Sequence, residues 1–211
     1  MRKIYTLFIP LFVLTIASQA QDGLFQFTNN YFRHDPWQGS FSGFLQRLMS
    51  DPNLENKAQR QRTDTTLFYF QADYRQYNPF FFKPERVQVI LEQSELSYDD
   101  SLARKDTIFL YQLVAYAPDS EEGRRDIKKE FEKIHRKYNR RFFESNYNES
   151  KEGETVIGAS HNYFLAIALL SPLSVSWGRI ESSKQLVLVL TLRIKSRENR
   201  AVLPAPLYNP E

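Results

Sequence analysis

Residues 186–195 read LVLVLTLRIK, and this stretch organises the rest of the chain. At a period of two residues, one side is uninterrupted leucine and isoleucine from Leu186 to Ile194. The other side begins with valines and ends with Arg193 and Lys195. β-Branched residues at this period are typical of a strand. A strand that begins apolar on both sides is predicted to lie inside a sheet that another layer covers.

The residues before this stretch predict its partner strand. Leu173, Val175 and Trp177 alternate with small residues, and residues 181–184 provide a turn. We therefore predict an antiparallel hairpin over residues 173–194. The continuous apolar run over residues 163–170 is either a buried strand or a short buried helix, because periodicity does not distinguish the two.

A second hairpin is predicted nearer the middle of the chain. Residues 86–96 alternate in polarity, residues 106–117 are apolar on both faces, and the charged residues 97–105 form a loop between them. Shorter strands are predicted over residues 67–71 and 154–159. These segments give a sheet of about five to six strands.

One long helix is predicted over residues 119–143. Asp119 and Glu122 match a capping box, and one apolar stripe follows at spacings of three and four residues. The stripe consists of Ile127, Phe131, Ile134, Tyr138 and Phe142. Such a helix is about 37 Å long, and the strand over residues 186–195 spans about 33 Å. The helix is therefore long enough to cover the sheet.

The part of the chain before residue 67 has one clear helix signal. Phe41, Phe44, Leu45 and Leu48 predict a short helix over residues 41–49, which Ser40 or Ser42 could cap. Residues 21–40 are aromatic and rich in turn formers, so we expect a leader that is not regular throughout. Residues 53–66 show no apolar period and are predicted to be mostly loop.

These elements predict an α+β domain. We expect an antiparallel sheet of about five to six strands, with the helix 119–143 packed on one face and the short helix 41–49 beside it. The order of elements also allows a curved-sheet cone of the nuclear-transport-factor type, an analogy of architecture that implies nothing about function. The domain is predicted to cover residues 41–203, followed by a proline-spaced tail over residues 204–211.

Residues 1–20 have the features of a secretory signal peptide. Two basic residues precede an apolar stretch over residues 4–17, and the small residues Ser18 and Ala20 follow. The apolar stretch is shorter than the roughly 20 residues that span a bilayer. We therefore predict cleavage after Ala20, export to the periplasm or the medium, and no transmembrane segment in the mature chain.

The composition excludes several classes of function. The chain of 211 residues contains no cysteine, which rules out disulfides, thiol catalysis and thiolate metal sites. The formal net charge is +3, and residues 1–20 hold two basic and no acidic residues, so the mature chain carries +3 − 2 = +1. This small charge gives no reason to expect nucleic-acid binding.

No stretch of the sequence carries a recognisable catalytic motif. The three histidines, His34, His135 and His161, do not occur at metal-ligand spacings. Glycine-rich phosphate loops and the GxSxG nucleophile motif are both missing. We therefore predict no metal and no cofactor. The enzymatic alternative is a small hydrolase whose site is assembled from dispersed serine, histidine and aspartate residues, for which Ser160 and His161 are one weak pair.

The basic residues of the long helix allow two interpretations. Residues 124–141 contain nine lysines or arginines and three acids. A helix of this composition could lie on anionic lipid, but its apolar stripe is needed to cover the sheet. We therefore interpret the basic residues as a solvated outer face.

The densest aromatic segment, residues 67–82, gives the only positive indication of a binding surface. Alternate residues of a strand face outward, so one half-buried strand cannot hide all of these rings. We predict that Tyr74 and Tyr77 are exposed and bind a partner together with Arg75 and Phe80. In the competing interpretation, the leader over residues 25–37 folds back over these rings and buries both groups.

These observations predict a non-catalytic binding or structural module of the cell envelope. Aromatic surfaces suit protein partners, sugar rings and acyl chains. The expected partner is therefore an envelope protein, a glycan or a lipid-like ligand, and not a nucleic acid.

Overall fold

The computed structural model describes residues 22–63, 66–100, 104–142, 144–165 and 171–196. Three α-helices and eight strands lie in these ranges. The helices are α1 (residues 22–31), α2 (Phe41–Met49) and α3 (Glu121–Tyr138), and a short 3-10 helix, Asn139–Arg141, follows α3. The fold class predicted from the sequence, α+β with one long helix, is confirmed.

The strands form one antiparallel sheet. They are β1 (Leu54–Arg60), β2 (Tyr69–Tyr74), β3 (Arg86–Asp100), β4 (Arg104–Pro118), β5 (Glu144–Glu152), β6 (Thr155–Phe164), β7 (Leu173–Ile180) and β8 (Gln185–Ser196). Their order across the sheet is β1-β2-β3-β4-β8-β7-β6-β5. Eight strands replace the five to six that the sequence predicted.

Strand β8 lies at the centre of this sheet, between β4 and β7. Its side chains from Leu186 to Ile194 on the helix-covered face are all fully or almost fully buried. The predicted hairpin of residues 173–194 is confirmed, with Leu173 opposite Leu192 and Trp177 opposite Leu188. The alternation of apolar and polar residues fixed the register, because a shift by one residue would turn the leucines to the other face.

Helix α3 covers the central strands, as its stripe predicted. Ile127, Phe131, Ile134 and Tyr138 are buried. The helix begins two residues later than predicted because Ser120, and not Asp119, is the N-cap: its hydroxyl accepts a hydrogen bond from the amide of Gly123 at 3.1 Å. The helix ends at Tyr138, so its 18 residues span about 27 Å.

Helix α2 is confirmed, with Ser40 as its N-cap, whereas α1 was not predicted. Turn-forming residues follow α1 closely, so the helical spacing at the start of the leader was not recognised as a helix. Within residues 22–31, Leu24, Phe27, Thr28 and Tyr31 recur at helical spacing and are all buried. The leader is thus a helix followed by a turn, and its apolar side belongs to the core.

The two strands that the sequence missed are the edges of the sheet. β1 falls in residues predicted to be mostly loop, and β5 follows the predicted long helix in residues for which no element was predicted. Both strands are polar and largely exposed. Polar edge strands do not show the apolar alternation that identifies inner strands, and their charges oppose pairing with another chain.

The remaining differences concern the ends of elements. The predicted loop over residues 97–105 is mostly strand, because β3 and β4 continue as a long hairpin that pairs Asp100 with Arg104. The predicted signal peptide, the proline-spaced tail and residues 166–170 of the apolar run lie outside the described residues. No helix in the described part of the chain is long and apolar enough to cross a membrane.

Candidate functional site

A cleft of about 360 Å³ lies between helix α3 and the strands β5, β6 and β7. α3 packs mainly on β4, β8 and β7, so the outer strands extend beyond it. The helix contributes Lys128, Phe131 and Glu132 to the lining, and the strands contribute Tyr147, Glu149, His161 and Trp177. The cleft therefore forms where the sheet is wider than the helix that covers it.

Periodicity explains why these side chains meet. Lys128, Phe131 and His135 follow one another at spacings of three and four residues and share a side of α3. On the sheet, Tyr147 of β5 lies directly opposite His161 of β6. Side chains of directly opposite residues point to the same face of a sheet. Helix and strands thus direct one aromatic and histidine-rich group into the same space.

Two histidine rings form the centre of this group. The rings of His135 and His161 are stacked, with centroids 3.7 Å apart and planes inclined by 9°. Phe131 and Tyr147 contact His161 with centroid distances of 4.9 and 4.8 Å. The four side chains come from a helix and two strands, and together they make an aromatic wall.

Burial favours the neutral form of both imidazoles in this wall. Burial lowers the pKa of His161 to about 4, and the neighbouring His135 contributes to the same shift. Burial also lowers the pKa of His135. Protonation would place a charge in an environment that solvates it poorly. The two histidine rings therefore resist protonation.

One polar atom of the wall lacks a partner. Nδ1 of His161 is buried and has no hydrogen-bond partner among the described residues, and the residue is only 8% exposed. In contrast, Nδ1 of His135 lies 3.2 Å from the hydroxyl of Tyr163. A buried polar atom without a partner costs free energy. The atom lies beneath the surface of the wall, where this cost opposes the packing of the rings.

The charges around the cleft are balanced. The hydroxyl of Tyr147 donates a hydrogen bond of 2.6 Å to Glu149, whose other oxygen lies 3.0 Å from Nζ of Lys151. These two contacts lower the pKa of Glu149, while the bond to Glu149 raises the pKa of Tyr147 to about 12. Nζ of Lys128 lies 5.0 Å from the ring centre of Trp177. Two acidic side chains, Glu132 and Glu149, and two basic ones, Lys128 and Lys151, thus surround the cleft, and neither sign dominates.

The residues predicted to bind a partner lie elsewhere in the molecule. The expectation that Tyr74 and Tyr77 are exposed is wrong, because Tyr74 is only 7% exposed and Tyr77 packs against the core. Phe80 is also buried. Of the four residues, only Arg75 is exposed, and it pairs with Glu55 at 3.2 Å. The contacts of the described residues do not show whether these four residues bind a partner.

The leader buries these rings, as the competing interpretation proposed. The hydroxyl of Tyr77 donates a hydrogen bond of 3.0 Å to the backbone oxygen of Tyr31 in α1. The rings of Tyr31 and Phe80 are 6.1 Å apart. Residue 81 is the exception, since Phe81 is 80% exposed. The segment thus contributes to the core through most of its rings and exposes one.

The hydrolase alternative gains no support from the histidine contacts. His34 lies 2.9 Å from Asp51, which also contacts Arg33 and Asn53. His135 contacts Tyr163, and the sequence neighbours Ser160 and His161 face opposite sides of β6. His34 and His135 are thus paired with groups other than a serine hydroxyl, and Ser160 points away from His161. Within the described ranges, no three residues of the His, Cys, Asp or Glu types are grouped so as to hold a metal ion.

The sequence did not predict the cleft because its residues are far apart in the chain. Tyr147 lies on an edge strand without an apolar pattern, and the sequence offered His161 only a weak pairing with Ser160. The one available signal was the presence of two histidines beside apolar stripes on different elements.

No family model matches the chain, and no curated protein and no solved structure matches it. The function is therefore inferred from the geometry of the cleft.

Proposed function

We propose that this protein is an exported, non-catalytic binding module that holds a sugar ring of a glycan in the cleft beside α3. The observation that carries this proposal is the half-exposed ring of Tyr147 at the mouth of a cleft whose wall also contains Phe131 and His161. Ligand sites of small molecules are concave and mostly apolar, with a few polar groups that fix orientation. The cleft has these properties.

The chemistry of the lining favours a neutral ligand with both apolar and polar sides. A pyranose ring presents a face of C–H groups, which packs on an aromatic ring, and a rim of hydroxyls. Tyr147 is 50% exposed and offers such a ring face. Glu132, Glu149 and Lys128 surround it with acceptors and a donor for hydroxyl groups. A charged ligand would be attracted by one set of these charges and repelled by the other, so it would gain little binding energy from them.

The size of the cleft also favours a small ring system. About 360 Å³ lies in the lower part of the range of about 300–1,000 Å³ that is typical of small-molecule sites. One or two sugar rings fit such a space better than a long acyl chain. An envelope protein or a lipid-like ligand remains the competing partner in this proposal.

The titration of the site supports binding over catalysis. A general base works best when its pKa lies near the working pH, and that of His161 is about 4. A general acid must be protonated, but contacts with Tyr147 and Lys151 lower the pKa of Glu149. His161 is therefore a weak base, and Glu149 is not a general acid at neutral pH. The proposed module therefore binds its ligand without converting it.

Two further expectations belong to this proposal. Export by way of residues 1–20 would bring the cleft into contact with envelope or extracellular glycans. The cone of the nuclear-transport-factor type remains an alternative description of the sheet. Arg75, the exposed member of the group Tyr74, Tyr77, Phe80 and Arg75, forms a second contact area in this proposal.

Tryptophan fluorescence provides a direct test. The chain has two tryptophans, so Trp37→Phe leaves Trp177, at the cleft, as the only reporter. We expect a saturable change of emission with oligomers of N-acetylglucosamine, glucose or mannose, and none with laurate. Tyr147→Ala should weaken the binding by tenfold or more, because it removes the exposed ring.

The matched control is Phe81→Ala, which removes an exposed aromatic ring outside the cleft. It should leave the sugar titration unchanged. His161→Phe keeps an aromatic ring in the wall, so it should leave most of the binding in place. If none of the sugars changes the emission of Trp177, or if Phe81→Ala weakens binding as much as Tyr147→Ala, the proposal is wrong.

A further inference from the structure

The loop between β2 and β3 presents one large apolar side chain to solvent. Phe81 is 80% exposed, although its neighbours Phe80 and Phe82 are both buried. The side chain of Asn78 accepts a hydrogen bond from the amide of Phe80 and donates one to the backbone oxygen of Phe82, each 2.9 Å long. The loop is therefore held on both sides of Phe81, and its ring is directed outward.

Helix α3 fixes the position of this loop. Glu130, which is only 1% exposed, accepts a hydrogen bond of 3.3 Å from the backbone amide of Phe81. Nζ of Lys133, which follows on the same helix, lies over the ring of Phe81. An ammonium group over an aromatic face is a favourable contact. The exposed ring thus has a defined place beside the middle of α3.

The outer side of the second half of α3 is basic. Five cations recur there at spacings of three and four residues and continue into the 3-10 helix. They are Lys129, Lys133, Arg136, Lys137 and Arg140, and we name them the basic face. Lys133 is half-buried and the other four are exposed. The basic face extends over about 16 Å along the helix, next to Phe81.

Acidic side chains do not neutralise the basic face. Glu130 is buried beneath it, and Glu132 lines the cleft. Among the described residues, the ion pairs of α3 involve Arg124 and Arg125 in its first turns and none of the five cations. The chain after residue 20 carries +1, so its other residues sum to 1 − 5 = −4. The positive charge is thus concentrated on one surface.

We propose that the basic face and Phe81 bind the surface of an anionic lipid bilayer. Each lysine or arginine near such a surface strengthens binding by about fivefold. The ring of Phe81, beside these cations, would enter the boundary between the headgroups and the acyl chains. The apolar stripe of α3 stays packed on the sheet, so the helix lies on the bilayer and does not insert.

The exposed ring favours a bilayer over a soluble polyanion. Both partners would attract the cations of the basic face. Only a bilayer also offers an apolar layer beneath its charges, where the ring of Phe81 loses its contact with water. The outer side of a helix also presents its charges along one line, so all of them can approach a flat surface together.

Sedimentation with lipid vesicles tests this inference. The chain that begins at Gln21 is used, because the apolar residues 4–17 would bind any bilayer, and all described elements follow Gln21. We expect this chain to sediment with vesicles of phosphatidylcholine that contain about 30% phosphatidylglycerol, and not with phosphatidylcholine alone. An increase in salt from about 0.1 to about 0.5 M should release most of it.

Two variants separate the contributions of the charges and the ring. Lys129→Gln with Arg136→Gln removes two exposed cations and should weaken binding about tenfold or more. Phe81→Ala should weaken it about fivefold or more, because the apolar contact is lost. The matched control, Arg75→Gln with Lys184→Gln, removes the same charge from exposed positions outside the basic face and should change binding less than about twofold.

Thermal melts of each variant show whether the fold is intact. The inference is supported if the basic-face variant and Phe81→Ala are folded and bind weakly while the control binds normally. It is wrong if the unaltered chain does not bind the anionic vesicles, or if the control loses as much binding as the basic-face variant. Normal binding by Phe81→Ala would also overturn it, because a general polyanion site needs no ring. Tyr147→Ala should bind the vesicles normally, so this result does not depend on the proposed sugar binding.

Discussion

The two ends of the helix-covered face hold similar aromatic groups in opposite surroundings. At the β2–β4 end, the ring of Tyr111 lies 4.7 Å from that of Phe32 and 5.1 Å from that of Phe44, and all three are buried. At the β5–β7 end, Tyr147 lies 4.8 Å from His161 but is 50% exposed. Ring contacts of the same length thus form a core at one end and a cleft at the other.

The difference between the two ends is the number of covering helices. Rings of α2 and of Phe32, the residue after α1, cover the first end, with Phe32 and Phe44 on Tyr111 and Phe41 on Phe109 at 4.4 Å. At the second end, α3 is the covering helix, and the sheet extends beyond it. An aromatic cluster therefore becomes a binding surface or a core according to what lies above it, and not according to its own composition.

The largest expected effect tests the covered end. Phe44→Ala should lower the free energy of unfolding by about 3–5 kcal/mol, because the ring is fully buried and its removal leaves a cavity. Phe81→Ala is the matched control, since that ring is 80% exposed, and it should cost less than about 0.5 kcal/mol. Denaturant melts measure both values. Equal losses would show that Phe44 is no better covered than the exposed Phe81.

The second prediction sharpens the boundary between core and surface in residues 67–82. Changing Tyr74 and Tyr77 together to Ser should cost about 3 kcal/mol or more, since Tyr74 is buried and Tyr77 packs against α1. The same denaturant melts provide the measurement. A double variant with an unchanged midpoint would restore the interpretation of these rings as an exposed binding surface.

The third prediction concerns the helix that leaves the cleft open. Ser120→Ala removes the N-cap of α3 and should cost about 1 kcal/mol. Ser182→Ala in the exposed β7–β8 turn is the control and should have no measurable effect. Thermal unfolding curves compare the two variants. If Ser120→Ala leaves the stability unchanged, the start of α3 contributes little to the cover of the sheet.

The smallest effect is a pH dependence at Glu130, which is buried on α3 between the two ends. Burial raises the pKa of this carboxyl, although the amide of Phe81 and two nearby lysines oppose the shift. The folded state therefore binds the proton more tightly than the unfolded state. Its stabilising contribution is present at low pH and is lost as the pH rises from about 4.5 through the folded pKa.

Glu130→Gln removes this titration and keeps the shape of the side chain. We expect the variant to gain stability relative to the unaltered protein as the pH is raised from 4 to 8. Denaturant melts at several pH values measure the difference. A difference that stays constant, or that shrinks towards pH 8, would contradict a raised pKa at this position.

Local patterns predicted the inner elements of the fold well. The alternation in residues 173–194 identified the β7–β8 hairpin, and the stripe from Ile127 to Tyr138 identified α3. Both signals arise because an element that covers or enters a core must be apolar at its own period. The edge strands β1 and β5 carry no such pattern, since hydrogen bonds to one neighbour hold them and solvent surrounds their side chains.

The sequence by itself determined the α+β class, the central position of β8 and the chemistries that a chain without cysteine lacks. The class and the position of β8 follow from hydrophobic periods of a few residues, and the missing chemistries follow from composition. Only the tertiary structure decided which aromatic rings are buried and which line a cleft. Tyr77 is covered because α1 returns to it from 46 residues away, and His135 meets His161 because a helix and a strand pack together. Exposure depends on distant segments of the chain, and a local pattern carries no information about them.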